Sequence, residues 1–114
     1  MKNISFTLIL CFLITTNIAV SGWVYEGQWG SYGTGDGQFN KPTGIAIASD
    51  GSAYVVDMSN NRIQYFTPTG TFIGKWGSQG SGDGQFIYPS GIAIAPNGYL
   101  YVADSYNHRV QYFT

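Results

Sequence analysis

The chain has 114 residues, a formal net charge of −1 and one cysteine, Cys11. With only 10% charged residues and no run of like charge, it has no electrostatic footprint for nucleic acid or an anionic membrane surface. A lone cysteine excludes a disulfide framework, while 16 glycines and 17% aromatic residues point to many turns and packed β-strands.

The first element is a leader. Lys2 precedes an apolar run from Ile4 to Ile14, and Ala19-Val20-Ser21 offers small residues where a signal peptidase reads. Residues 1–21 are expected to be a signal peptide cut before Gly22, leaving a secreted or extracytoplasmic product. A membrane span needs about 20 apolar residues, and Ile4 to Val20 reaches only the lower edge of that range, so no stable span is expected. Left uncleaved, the segment would hold the exported remainder at the cell surface, with Lys2 on the cytoplasmic side. Leu10 is too bulky to precede a lipidated Cys11.

The remainder repeats itself. Gly35-Asp36-Gly37-Gln38-Phe39 recurs at Gly82 to Phe86. Sliding Tyr25–Thr67 onto Phe72–Thr114 needs no insertion, and 26 of the 43 positions are identical. A fixed period of this length marks a solenoid or a propeller. In chain order, Trp23–Trp29 matches the later stretch Gly70–Trp76, so residues 23–30 are expected to form an outer strand. Blade one follows over 42–77, with strands at Thr43–Ala48, Ser52–Asp57, Arg62–Thr67 and Thr71–Trp76. Blade two spans 89–114 and lacks its outer strand. Asp50-Gly51 and Asn97-Gly98 are hairpin signals, and Pro68-Thr69-Gly70 is a further tight turn. No segment after residue 21 has a helical period, so the class is all-β. Ile45 and Ile47 share one strand face, Ala46 and Ala48 the other, and neither face is polar. Such a sheet is sandwiched between neighbours, as blades in a propeller are.

The residues that carry this repeat resemble the NHL repeats. Pro42 to Ile47 reads PTGIAI, Tyr54 to Asp57 reads YVVD and Asn60 to Ile63 reads NNRI; the second copy reads PSGIAI, YVAD and NHRV. The resemblance implies β-propeller blades, in a ring of about six. Two arrangements follow for a two-blade chain. Three copies could close a six-bladed homotrimer, each N-terminal strand completing a neighbour's second blade, or the chain is a segment of a longer propeller. The resemblance also implies a non-catalytic binding or scaffold module for protein or glycan partners. Its alternative is part of a propeller enzyme of the amidating-lyase or lactonase-like type, with metal ligands at the ring centre. RNA binding, known for some NHL domains, is disfavoured by export and by the acidic balance.

Long loops on a rigid scaffold carry function more often than tight turns do. The longer connections fall at one end of the meander, and several of their positions differ between copies: Lys41/Tyr88, Met58/Ser105, Ser59/Tyr106 and Asn61/His108. These eight residues form the candidate binding face. Asp57, Arg62, Asp104 and Arg109 are expected to brace the loops. Asp104, Ser105 and His108 suggest a hydrolase triad, but the first copy has Met58 and Asn61 in place of its Ser and His, and nothing signals an oxyanion site. One histidine cannot make a zinc site, and the single carboxylate in each glycine-rich loop, Asp36 or Asp83, is too few for calcium. No catalytic residue, metal or cofactor is assigned. Trp29 and Trp76 are expected to pack at the outer edges of the blades.

Overall fold

Turn chemistry sets the elements before any packing does. Gly51 and Gly98 take φ of 91° and 89°, so the chain reverses at Asp50-Gly51 and Asn97-Gly98 within a few residues. The computed structural model describes residues 22–114, and the expected signal peptide lies outside the described residues. Strands β1 (Pro42–Ile47), β2 (Ala53–Asp57), β3 (Arg62–Phe66) and β4 (Phe72–Trp76) form one antiparallel sheet in sequential order. Strands β5 (Pro89–Ile94), β6 (Leu100–Asp104) and β7 (Arg109–Phe113) form a second. The ends of the first four strands fall within one residue of their expected positions, because Gly and Pro turns leave no other place for reversal. Both β1 and β5 carry a register irregularity after their leading proline, which has no N–H for the ladder.

The sheets stack face to face as two neighbouring blades, with β5 lying against β1 and β2. The core sits in this seam. Val56 and Ile63 of the first sheet meet Phe86 of the loop between β4 and β5 and Leu100 and Val102 of the second sheet, ringed by Tyr54, Trp76, Ile92, Ile94 and Phe113. Burial of each such side chain contributes about 1.5–3 kcal/mol. The seam has one polarity: Ile92 and Ile94 face blade one, while Ile45 and Ile47, their counterparts, are 58% and 60% exposed on the opposite side.

The N-terminal stretch departs from expectation. Residues 23–30 form no strand. A strand exists only where a neighbour supplies ladder hydrogen bonds, and among the described residues none lies beside Trp23–Gly30 to do so. Trp23, Val24 and Tyr25 are exposed. Trp29 is nonetheless seated: its ring lies over Gly70, and its centroid is 5.6 Å from that of Phe66.

Candidate functional site

Each long loop is tied down by a buried carboxylate. Asp57 ends β2 fully buried, and its Oδ2 accepts from Arg62 Nε at 2.7 Å and Gln64 Nε2 at 3.1 Å. Its Oδ1 accepts from the Asn40 N–H at 2.7 Å, and Asn60 Nδ2 donates to both oxygens. Arg62 then spreads its guanidinium over the GDGQF loop, donating to the carbonyls of Thr34, Gly35 and Gln38 at 2.9–3.0 Å. Gln64 closes the knot, donating to the Gln38 carbonyl at 2.6 Å and accepting from the Gly37 N–H at 2.9 Å. The glycines of the loop permit this approach: a side chain at Gly35 would meet Gln38 Oε1, which accepts the Gly35 N–H.

Blade two builds the same knot from Asp104, Asn107, Arg109 and Gln111. Asp104 Oδ2 accepts from Arg109 Nε at 2.8 Å, and Arg109 donates to the carbonyls of Ser81, Gly82 and Gln85. Burial alone raises the Asp104 carboxyl. Hydrogen bonds from Asn107, the Ile87 N–H and Arg109, with the Arg109 charge, outweigh it and hold the group below the ordinary aspartate range. Sequence reasoning missed Gln64, Gln111, Gln38 and Gln85 as partners. The signal was there, since both glutamines stand unchanged in both copies.

On this frame the variable residues gather at one end. Met58–Asn60 and Ser105–Asn107 are single 3₁₀ turns, closed by Asn61 and His108 in left-handed conformation at φ 54° and 55°. Lys41 and Tyr88 are also left-handed, at φ 57° and 48°. These four are all the non-glycine residues at positive φ among the described residues, and all belong to the variable set. Each such residue costs roughly 1–2 kcal/mol, and strain of this kind collects at functional sites. Lys41, Tyr88, Tyr106 and His108 are exposed; Met58, Ser59 and Ser105 are half-buried. The Tyr88 and Tyr106 rings meet edge to face at 4.9 Å. Ser105 Oγ shares a hydrogen bond with Ser90 Oγ. Asn61 is not on the free face: it is buried, and its Oδ1 accepts the Tyr88 N–H at 2.8 Å across the seam.

The triad-like set does not come together. Both Asp104 oxygens take donors from Ile87, Asn107, Arg109 and Gln111, and the hydrogen bond between His108 and Ser105 runs from the His108 backbone N–H to the Ser105 carbonyl. Among the described residues no three His, Cys, Asp or Glu side chains cluster as metal ligands would. No helix there is long and apolar enough to cross a membrane. At the tight-turn end, a cleft of about 570 Å³ opens between the blades, lined by Tyr54, Tyr65, Trp76 and Phe113 among others. Trp76 Nε1 is buried without a partner.

One four-stranded and one three-stranded antiparallel meander, stacked face to face and braced by the same Asp–Arg knot, define the described residues as β-propeller blades whose sheets do not close into a ring. The NHL repeat family profile matches residues 39–66 and 86–113. The chain carries two NHL repeats. It is similar to rat E3 ubiquitin-protein ligase TRIM71, 48% identical over 61 residues, covering 48% of this chain and 7% of the relative. It is also similar to the B-box type zinc finger protein ncl-1 of Caenorhabditis elegans, 39% identical over 49 residues, covering 43% of this chain and 6% of the relative. The chain thus spans under a tenth of these relatives' length. Among solved structures, an auxiliary nutrient binding protein from Bacteroides thetaiotaomicron shares the fold at a TM-score of 0.58 and 20% identity, covering 75% of this chain and 27% of that one.

Proposed function

We propose that this chain is an exported, non-catalytic NHL-repeat module whose long-loop end binds a protein partner. One observation carries the reading: two loop ends with the same hydrogen-bonded frame present different side chains. Lys41, Met58 and Ser59 stand where blade two has Tyr88, Ser105 and Tyr106, and the strained backbone positions coincide with this variation. A rigid frame with changeable tips is what recognition needs. Exposed tyrosines suit it further, since they bring large contact area at low entropic cost. The relatives named above, an E3 ubiquitin-protein ligase and a B-box type zinc finger protein, carry the matching sequence within much longer chains, which supports a binding role.

A glycan partner is favoured by one feature, the exposed Tyr88–Tyr106 pair, whose rings could cover the apolar face of a sugar. Three copies closing a six-bladed homotrimer would place six such loop ends on one face. Photo-crosslinking tests the reading. A benzophenone side chain at Tyr106 should capture a partner that the same group at Asn97, on the tight-turn end, does not. Tyr88→Ala with Tyr106→Ala should weaken that partner at least about tenfold. Capture at Asn97 alone would overturn the assignment of the face, and an exported product retaining Lys2 would overturn cleavage.

A further inference from the structure

We infer that the stretch Tyr25–Trp29 is the missing outer strand of blade two, delivered to the β7 edge of a second copy of this chain. The inference rests on the ring reading above and specifies the surface through which it closes. The template is inside the molecule. In blade one, β4 pairs with β3 in the register Ile63↔Trp76, Gln64↔Lys75, Tyr65↔Gly74 and Phe66↔Phe72. Carrying that register along the repeat gives Val110↔Trp29, Gln111↔Gln28, Tyr112↔Gly27 and Phe113↔Tyr25. Among the described residues β7 pairs only with β6.

Three observations fit a second copy at this edge. The first is Gly27. Its counterpart Gly74 lies under the Tyr65 side chain, where an added Cβ would meet the hydroxyl oxygen at 2.7 Å and ring carbons at 2.8 Å. Gly27 itself has nothing within 4 Å of that position, and the tyrosine that would cover it, Tyr112, is 64% exposed. A glycine kept in the repeat and a bare tyrosine are two halves of one contact.

The second is Trp29. It sits on Phe66 at 5.6 Å as Trp76 sits on Phe113 at 5.4 Å. The N-terminal stretch therefore already lies on blade one as the end of an outer strand of a preceding blade. Among the described residues, no other strand of that blade lies beside it.

The third is the pair of open faces. Ile45 and Ile47 are exposed on one end of the two-blade stack, and Tyr101, Val110 and Tyr112 on the other. Their counterparts, Ile92 and Ile94 against Tyr54, Ile63 and Tyr65, form the seam inside the chain. The exposed ends are complementary because the same surfaces are already packed together once. The polar part of the seam repeats too: His108 stands where Asn61 accepts the Tyr88 N–H, facing the Lys41 N–H of a second copy. Such a contact is heterologous and closes if the rotation between blades divides the circle.

The test uses the full chain. Gly27→Leu is silent in an isolated copy, where the position is open, but in the exchanged blade it drives a side chain into Tyr112. Light scattering should report three chains for the parent, and association should weaken at least about tenfold in G27L. Tyr112→Ala in the G27L background should restore much of the loss by making room. Gln28→Lys should tighten association about twofold at low salt, since Gln28 takes the place of Lys75, whose Nζ is 2.6 Å from Asp36, and would face Asp83. Gly27→Cys with Tyr112→Cys, in a Cys11→Ser background, should form disulfides between chains. A three-chain mass indifferent to G27L, with no disulfide between 27 and 112, would overturn strand exchange while leaving the ring. The rival occupant of the β7 edge is a strand from the same polypeptide; it would give a monomer at every concentration, indifferent to G27L, and overturn both.

Discussion

Blade one and blade two are built from one sequence pattern with one set of hydrogen bonds, yet they are unequally protected. Ile63 is fully buried, whereas Val110 at the same place in blade two is 65% exposed. The Arg62 side chain is 9% exposed and that of Arg109 is 29% exposed, although each binds its aspartate at 2.7–2.8 Å. At the other end the inequality reverses: Pro42 is exposed and Pro89 is fully buried. The difference lies in neighbours, not in residues. Each blade presents an isoleucine face and a tyrosine face, and only the seam between the two blades covers one of each. Internal hydrogen bonds set the shape of a repeat, and stacking sets its stability.

The largest expected break in the parallel is Asp57→Ala. It leaves Arg62 unpaired where water hardly reaches, and should cost about 3–5 kcal/mol in urea unfolding. Asp104→Ala should cost less, by at least ~1 kcal/mol, because the more exposed Arg109 regains hydration. Equal losses would mean that blade two is covered in solution. Ile63→Ala should cost about 2–5 kcal/mol by emptying the seam, while Val110→Ala in a single copy should stay within about 0.5 kcal/mol. A large V110A effect on mass-dependent stability would again report a partner on that face.

Acid acts on the blade-two knot. The Asp104 carboxyl is held below its usual range, so the unfolded chain binds its proton first as pH falls. Its contribution is full above about pH 4, the ordinary aspartate value, and is lost as pH drops through the lower folded value. The thermal midpoint of the parent should fall across that window more steeply than that of Asp104→Asn. The smallest effect belongs to the exposed Lys75–Asp36 pair, 46% and 54% accessible. Lys75→Met should change stability by under about 1 kcal/mol, and by less in high salt.

Much of this was legible before any coordinates. Asp-Gly and Asn-Gly between alternating apolar runs leave few options, and the strand ends follow from them. The knot was less legible. An aspartate and an arginine five residues apart are visible in the sequence, but the carbonyls of Thr34, Gly35 and Gln38 that Arg62 and Gln64 reach lie 24–28 residues away. Their convergence depends on how the loop folds back over β3. Variation between copies places Asn61 on the candidate binding face; the seam buries it, and its Oδ1 accepts the Tyr88 N–H on the approach to the neighbouring blade. Likeness to β4 predicts a strand in the N-terminal stretch, and likeness cannot supply the ladder partner that a strand requires.

The sequence by itself determined the period, the four-stranded unit, the turns and the two-faced apolar strands, because these depend on residues close together along the chain. Only the tertiary structure decided which copy is covered, which glycine lies under a ring and which asparagine is a seam contact. Those properties belong to surfaces meeting across a seam, and a repeat carries the same residues whether or not a neighbour is there to meet them.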